Sequence, residues 1–380
     1  MYKFLIDENI PFALEAFSEL GTVKLCSGRD INNISLKSTD ILIIRSITKV
    51  NQELLRGTPV KFVGTTTIGS DHIDIQYLKK NNIGFANAPG CNADSVAEYV
   101  FAALLNSATV AGFSLENKSI GIIGLGNIGS RVARIALGFG MSILINDPPL
   151  QRKTREPFFI TYNEALQADI ITFHVPLNLT GADKTYHMLS ESQLKKFDNG
   201  KIILNASRGS VVSNNDLKNF LNRQKNKVVL DVWENEPNID LELLNLVQTG
   251  TAHIAGYSLE GKVNGTTMIF NSLCKFLNVK KEWKPGMPEI EKAVIKYPEA
   301  DTLEESINLI ISKIYKINSD DKKLREINRL NEEDRGKYFD QLRKKYSVRR
   351  EFANYTIRIN KKLQKEIRIL KALRFNVKIY

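Results

Sequence analysis

Short apolar runs separated by polar stretches of helical spacing recur along the chain. Phe4–Ile6, Ile41–Ile44, Val60–Val63 and Gly84–Ala86 are brief, nearly continuous apolar segments, the pattern of strands buried on both faces of a parallel sheet. With helical stretches between them, they predict a small α/β domain. Ala93–Leu105 predicts a long helix leading out of it. Further strands are expected at Ile120–Ile123, Ile143–Ile145, Ile170–Phe173, Ile202–Asn205 and Val228–Val232, with helices between. That alternation predicts a doubly wound sheet, whose ligands sit beyond the carboxyl ends of the strands. Leu259–Leu277 predicts a helix crossing back to the first domain, and Trp283–Pro288 a linker. Past the linker, Leu303, Ile307, Ile310, Ile311 and Ile314 mark one apolar helix face. Strand, helix and strand follow over Tyr355–Ile359, Leu363–Leu373 and Phe375–Ile379.

The segment Ser119–Asp147 adds chemistry to this pattern. The run Ile120–Ile123 leads into Gly124-x-Gly126-x-x-Gly129, then a helix carrying Val132, Ile135, Ala136 and Phe139, then a strand ending at Asp147. The first glycine permits a tight turn, the second lets backbone approach a pyrophosphate, and the third lets helix pack closely on strand. The helix N-terminus offers free N–H groups, here including those of Asn127 and Ile128, and a positive dipole end. Asp147, eighteen residues past Gly129, is spaced to accept the adenine-ribose hydroxyls, which favours NAD over NADP. A nucleotide domain that begins past residue 100 must follow another domain.

At 380 residues the chain is long enough for two or three cores. Apolar content of 43% and charged content of 25% are ordinary for a globular protein, and no stretch approaches the roughly 20 apolar residues of a membrane span. The opening MYKFLIDENIP has acids by its seventh residue and is expected to be no targeting signal. Cys26, Cys91 and Cys274 are few and far apart, which fits reduced thiols in the cytoplasm and supplies no metal-ligand spacing. The net charge of +11 belongs to one place. Residues 341–380 hold 13 Lys+Arg and 2 Asp+Glu, leaving 40 basic and 40 acidic residues elsewhere. The excess therefore marks a C-terminal appendix: a solvated helix face, a site for a phosphate-bearing substrate, a subunit contact or a nucleic-acid surface.

Three polar residues stand near predicted strand ends. Arg208 follows Ile202–Asn205, Glu236 lies in DVWENEP, and His253 in TAHIAGY. Oxidising a secondary alcohol needs a base for the hydroxyl proton, and imidazole suits that task. A carboxylate beside it would fix the tautomer, and an arginine fork would clamp a substrate carboxylate. Singly, each residue also has an ordinary structural reading: a surface ion pair, a turn acid, a core histidine.

Together, IGIIGLGNIGSRVARIALGFGM, NASRGSVV, DVWENEP and HIAGYSLEGK resemble the D-isomer-specific 2-hydroxyacid dehydrogenases. IDENIPFALEAF, VGTTTIGSDHID, NAPGCNADSVAEYV, HIAGYSLEGKVNGTT and LRKKYSVRREF are similar to the erythronate-4-phosphate dehydrogenase family within them. The resemblance implies a Rossmann-type doubly wound sheet (95–253) inserted into a smaller flavodoxin-like α/β substrate domain (1–94 and 254–282). A C-terminal α+β dimerisation domain (288–380) completes that architecture. It also implies NAD-dependent oxidation of 4-phospho-D-erythronate in vitamin B6 biosynthesis, by a cytoplasmic homodimer needing no metal, nucleic acid or membrane.

Carried over by motif, Arg208, Glu236 and His253 are catalytic, with His253 the proton donor and acceptor. The expected NAD contacts are Gly124, Gly126, Asn127, Ile128, Gly129, Asp147, Val175, Ala206, Ser207, Arg208, Asp231 and Gly256. Ser46, Thr67 and Tyr257 are the expected substrate contacts, and Arg349 and Arg350 the tail cations expected to meet a phosphate. The family's threonine after His174 is Val175 here, which can serve only through its backbone or by packing. Two alternatives stay open: the same chemistry on 3-phosphoglycerate or hydroxypyruvate, and a non-catalytic NAD-sensing regulator.

Overall fold

The first sheet is built from β1 (Tyr2–Asp7), β2 (Gly21–Cys26), β3 (Ile41–Ile44), β4 (Phe62–Thr65) and β5 (Gly84–Ala86). In the computed structural model, which describes residues 1–380, these strands are all parallel in the order β2-β1-β3-β4-β5. That is the flavodoxin-like order. Every residue of β3 and β4 is buried, as expected of central strands covered on both faces. Phe4, Phe17, Phe62 and Phe270 pack on one side of the sheet, and Leu5, Leu42, Val63 and Leu78 on the other. The helix Leu259–Phe276 supplies Ile269, Phe270 and Leu273 to the first of these layers. Trp283, expected to begin a linker, is instead anchored here. Its indole donates to Glu15 Oε1 at 2.9 Å and lies 6.2 Å from the Phe270 ring. Residues 1–92 and 258–289 form one compact unit.

The second unit comprises residues 93–257 and 290–380. Its main sheet holds β6 (Ser119–Ile123), β7 (Ser142–Asn146), β8 (Ile170–Phe173), β9 (Ile202–Asn205), β10 (Lys227–Leu230) and β11 (Thr249–Gly250), ordered β11-β10-β9-β8-β6-β7 and parallel throughout. A single parallel bridge from Ile145 to Phe159 extends it beyond β7, completing the doubly wound Rossmann pattern. The order reverses between β6 and β8, and the loop after β6 at that point carries the glycines. Strand β10 stops at Leu230, two residues before the expected end, so that Asp231 to Trp233 already belong to the loop that follows.

The C-terminal residues add a third parallel sheet, β12 (Val294–Lys296), β13 (Thr356–Ile359) and β14 (Asn376–Ile379), in that order. The apolar face expected on the helix Leu303–Ile314 is buried inside the same unit, against the helix Ala93–Ala111. Ile307, Ile310, Ile311, Phe352, Ile357 and Ile369 join Val100, Phe101, Leu104 and Phe139 in one continuous core. Burying each such side chain stabilises the fold by about 1.5–3 kcal/mol.

Candidate active site

The glycine loop has the geometry of a dinucleotide cradle. Gly124 has φ +94°, and a Cβ there would lie 2.6 Å from the His174 carbonyl oxygen and 2.9 Å from Val175 Cγ1. A Cβ on Gly129 would lie 1.9 Å from the Gly124 carbonyl oxygen, so helix and loop touch backbone to backbone. A Cβ on Gly126 would meet nothing within 4 Å, because open space lies beside the N-terminus of the helix Asn127–Gly138. The N–H groups of the first turn, Asn127 and Ile128 among them, are available there to an anion. Val175 closes over Gly124 by packing, the one role a valine side chain can take at that position.

Asp147 ties this loop to the next element. Its Oδ2 accepts the N–H of Leu125 at 2.8 Å, and its Oδ1 caps the helix Pro148–Thr154 by accepting the N–H of Leu150 at 2.9 Å. The carboxylate is partly exposed and keeps acceptor capacity for ribose hydroxyls. Arg152, a cation that could attract a further phosphate, is paired with Asp183 at 2.5 Å.

The three expected catalytic residues lie on loops that follow β9, β10 and β11. After β9, the Asn205 side chain accepts from Ser207 N at 3.0 Å and Ser207 Oγ at 2.8 Å, and donates to the Arg208 carbonyl at 2.9 Å. It thereby curls the Ala206–Arg208 turn. A Cβ on Gly209 would lie 2.0 Å from the Trp233 carbonyl oxygen, so the Arg208 loop presses directly on the loop leading to Glu236. Glu236 Oε1 accepts from Trp233 N at 2.9 Å, and Oε2 meets His253 Nδ1 at 2.7 Å. The two side chains are 20% and 33% exposed, so the pair is sheltered yet reachable. Burial alone would raise the Glu236 carboxyl. The charge and hydrogen bond of His253, the charge of Arg343 and the Trp233 N–H outweigh it and hold Glu236 below the usual carboxylate range. An ionised Glu236 accepts the proton on Nδ1, which leaves Nε2 as the basic nitrogen.

His253 itself stands in the left-handed region, at φ +56°. Such a backbone costs a non-glycine residue about 1–3 kcal/mol and needs outside support. Asp231 supplies it. Its carbonyl accepts His253 N at 2.7 Å, and its carboxylate accepts Ile254 N at 2.7 Å, Ala255 N at 2.9 Å and Thr251 Oγ1 at 2.6 Å. The carboxylate is fully buried, so an NAD contact through it must share oxygens already committed to the His253 loop. Sequence reasoning missed this clamp, because Asp231 and the His253 loop stand apart in the chain and meet only on folding.

The C-terminal residues buttress the same loop. Arg349 is 4% exposed, its guanidinium donates to Ser95 Oγ and, at 2.6 Å, to the Ala255 carbonyl, and it stacks 4.1 Å over the Tyr315 ring. The expected phosphate contact at Arg349 falls on a buried side chain whose Nη2 fixes the backbone two residues past His253 and whose Nε and Nη1 have no hydrogen-bond partner in the protein. Arg350 donates to Asn354 Oδ1 at 3.2 Å. Tyr257 stands edge-on to Tyr346 with ring centres 5.9 Å apart, and the Arg343 guanidinium lies 5.8 Å from the Tyr257 ring centre. Gly256, between Ala255 and Tyr257, is partly exposed on this loop.

In the other unit, Ser46 and Thr67 follow the carboxyl ends of β3 and β4. Ser46 is exposed. Thr67 Oγ1 donates to the Gly69 carbonyl at 3.1 Å and is 2.8 Å from Thr65 Oγ1. Arg45, beside Ser46, is held by buried Asp7 at 3.0 Å. His72 lies 3.3 Å from Thr65 Oγ1, and His187 of the second unit pairs with Glu234 at 2.5 Å, so both have local partners.

Comparison with known proteins matches residues 94–255 to the D-isomer specific 2-hydroxyacid dehydrogenase NAD binding domain, and residues 287–373 to a domain family of unknown function. The chain is 44% identical to the erythronate-4-phosphate dehydrogenase of Proteus mirabilis over 93% of its own length and 94% of that protein's. The chain belongs to the erythronate-4-phosphate dehydrogenase family. Its Escherichia coli O139:H28 counterpart is 44% identical over 93% of both chains. Among solved structures, the D-lactate dehydrogenase of Aquifex aeolicus, complexed with NAD and lactic acid, matches with a TM-score of 0.61 at 26% identity, covering 73% of this chain and 95% of that one. The NAD-bound 3-phosphoglycerate dehydrogenase of Entamoeba histolytica shares the fold, with a TM-score of 0.61 at 23% identity, covering 74% of this chain and 99% of that one. The cofactor of this family member is NAD, and the glycine cradle with its acidic neighbour fits it.

Proposed function

We propose that this chain oxidises the C2 hydroxyl of 4-phospho-D-erythronate to (R)-3-hydroxy-2-oxo-4-phosphooxybutanoate, in pyridoxal 5′-phosphate biosynthesis. The observation that carries the chemistry is the Glu236–His253 contact at 2.7 Å, in a chain of this family. Bound NAD supplies the hydride acceptor. His253 Nε2 takes the hydroxyl proton, and Glu236 holds the ring's tautomer and stabilises the imidazolium that forms. Arg208 orients the substrate carboxylate and polarises the developing carbonyl. Gly124, Gly126, Asn127, Ile128 and Gly129 receive the pyrophosphate, Asp147 the ribose, and Val175, Ala206–Arg208, Asp231 and Gly256 line the remaining cofactor path. Ser46, Thr67 and Tyr257 contact the substrate.

The same reading includes a homodimer assembled through residues 288–380 and a cytoplasmic setting. Cys26, Cys91 and Cys274 are free thiols, and no helix is long and apolar enough to cross a membrane.

The substrate is tested by comparing kcat/KM for 4-phospho-D-erythronate, unphosphorylated D-erythronate and 3-phosphoglycerate. A 4-phosphate held by charge-assisted hydrogen bonds should make its loss cost at least about 3 kcal/mol in transition-state binding. Equal use of erythronate, or preference for 3-phosphoglycerate, overturns the substrate and leaves the dehydrogenase chemistry in place.

A further inference from the structure

Arg343 is carried by the helix Glu332–Lys344, whose Phe339 is fully buried in the core that also holds Trp233. That helix lies directly on the segment bearing the catalytic carboxylate. A Cβ on Gly336 would sit 2.7 Å from Asn238 Oδ1 and 3.3 Å from Pro237 Cγ. Two helical turns further on, the same face delivers Arg343 to Tyr257, with its guanidinium carbon 5.8 Å from the ring centre. Its charge also acts on Glu236, and its Nε is buried without an acceptor in the protein. A buried donor on a cation left without an acceptor is costly, and it is the state in which an arginine can gain an anionic ligand.

We propose that Arg343 is a specificity-determining residue that receives the second anionic group of the substrate, the one remote from the carboxylate held by Arg208. This rests on the reading of the site given above. The planar fork suits a phosphate, and a ligand contacting Tyr257 lies within reach of the guanidinium. Tyr346 stands edge-on to the Tyr257 ring, so the helix carrying Arg343 and the segment that follows it both contact this tyrosine. Arg343 therefore gives the C-terminal residues a place in substrate selection as well as in packing.

The alternative role for the same contact is electrostatic: Arg343 would only keep Glu236 ionised. The two roles separate kinetically, because tuning Glu236 changes kcat for every substrate, whereas anion binding changes KM for the phosphorylated one. The experiment measures kcat and KM of the full-length enzyme with NAD for 4-phospho-D-erythronate and D-erythronate, in wild type, Arg343→Gln and Arg343→Lys. The expected result is a fall of about 10²-fold in the phosphorylated-to-unphosphorylated kcat/KM ratio for the Gln variant, carried by KM, with partial recovery in the Lys variant. Inhibition by inorganic phosphate should weaken in parallel. An unchanged ratio in Arg343→Gln, or an equal fall in kcat for both substrates with KM unmoved, overturns the inference. Should Arg343→Gln not fold, Arg343→Lys with wild-type phosphate inhibition and wild-type preference overturns it equally. A wild-type enzyme that does not distinguish the two acids overturns the underlying substrate reading instead.

Discussion

Glu236 Oε2 and His253 Nδ1 lie 2.7 Å apart, and each is fixed from behind: the carboxylate by the N–H of Trp233, the histidine backbone by Asp231. The contact joins the loops after β10 and β11, and Asp231 fastens them to each other. His253 needs that fastening because its left-handed backbone is not one it would hold alone.

Removing the imidazole tests the assignment. His253→Ala and His253→Asn should lose about 10²–10⁴ in the rate of hydride transfer while NAD affinity survives. Glu236→Gln should lose up to about 10⁴, since an amide beside Nδ1 favours the wrong tautomer and no longer stabilises the imidazolium. Single-turnover NADH formation by stopped flow reads both, and wild-type rates in the His253 variants would end the acid–base assignment.

Cofactor preference should follow Asp147. Its carboxylate would repel a 2′-phosphate, and Arg152 is already paired with Asp183. NAD should therefore be strongly preferred, and Asp147→Ala should narrow the NAD/NADP ratio of kcat/KM by tenfold or more. The same change removes the cap on Leu150 N and should lower stability by about 1 kcal/mol. Equal turnover of NADP and NAD by the wild type would assign the preference to other residues, with Lys153 the first candidate.

His174 gives the fold a pH dependence of definite sign. It is buried beside Thr172, 3.0 Å from its hydroxyl, and burial pushes the imidazole down to about 3. A group depressed on folding contributes stability above its unfolded value of about 6.5 and loses it as pH falls from there toward 3. At about 1.4 kcal/mol per pH unit, the protein should be about 2 kcal/mol less stable at pH 5 than at pH 7 from this residue alone. Denaturant melts of wild type and His174→Gln at the two pH values give the measure: the substitution should remove a difference of about that size. An identical pH 5 loss in both proteins would show that His174 is not its source.

What could be read from the sequence was what local pattern encodes. Ile41–Ile44 and Ile202–Asn205 were placed residue for residue because central parallel strands are unbroken apolar runs. Strand β2 was missed because it is an edge strand, with Thr22, Lys24 and Leu25 exposed, and Val294–Lys296 because its three residues are too few to show a period. The candidate catalytic residues were legible through motif spacing. The supporting contacts were not, since Asp231 with Ala255, Arg349 with Ser95 and Gly336 with Asn238 are made only on folding. Arg349 shows the same limit: its charge is visible in the sequence and its burial is not.

That burial changes what truncation should do. A C-terminal domain joined by a free linker could be cut away to leave an active remainder, but residues 290–380 share one core with residues 93–257. Ile307, Ile310, Ile311, Phe352, Ile357 and Ile369 are each at least 99% buried, and each is worth about 1.5–3 kcal/mol. Their sum is comparable with the whole net stability of a domain, about 5–15 kcal/mol. A chain stopped after Glu289 should therefore fail to fold cooperatively. The gentler change Arg349→Met keeps apolar volume over Tyr315 but removes the guanidinium's hydrogen bonds to the Ala255 carbonyl and the Ser95 hydroxyl, which stay bonded to each other at 2.8 Å. It should lower stability by about 1–3 kcal/mol and reduce kcat by loosening the loop that holds His253. Calorimetry and steady-state kinetics on both proteins, with light scattering to follow the oligomer, supply the comparison. A truncated chain that melts cooperatively near the wild-type temperature would show that the shared core does not hold this unit together.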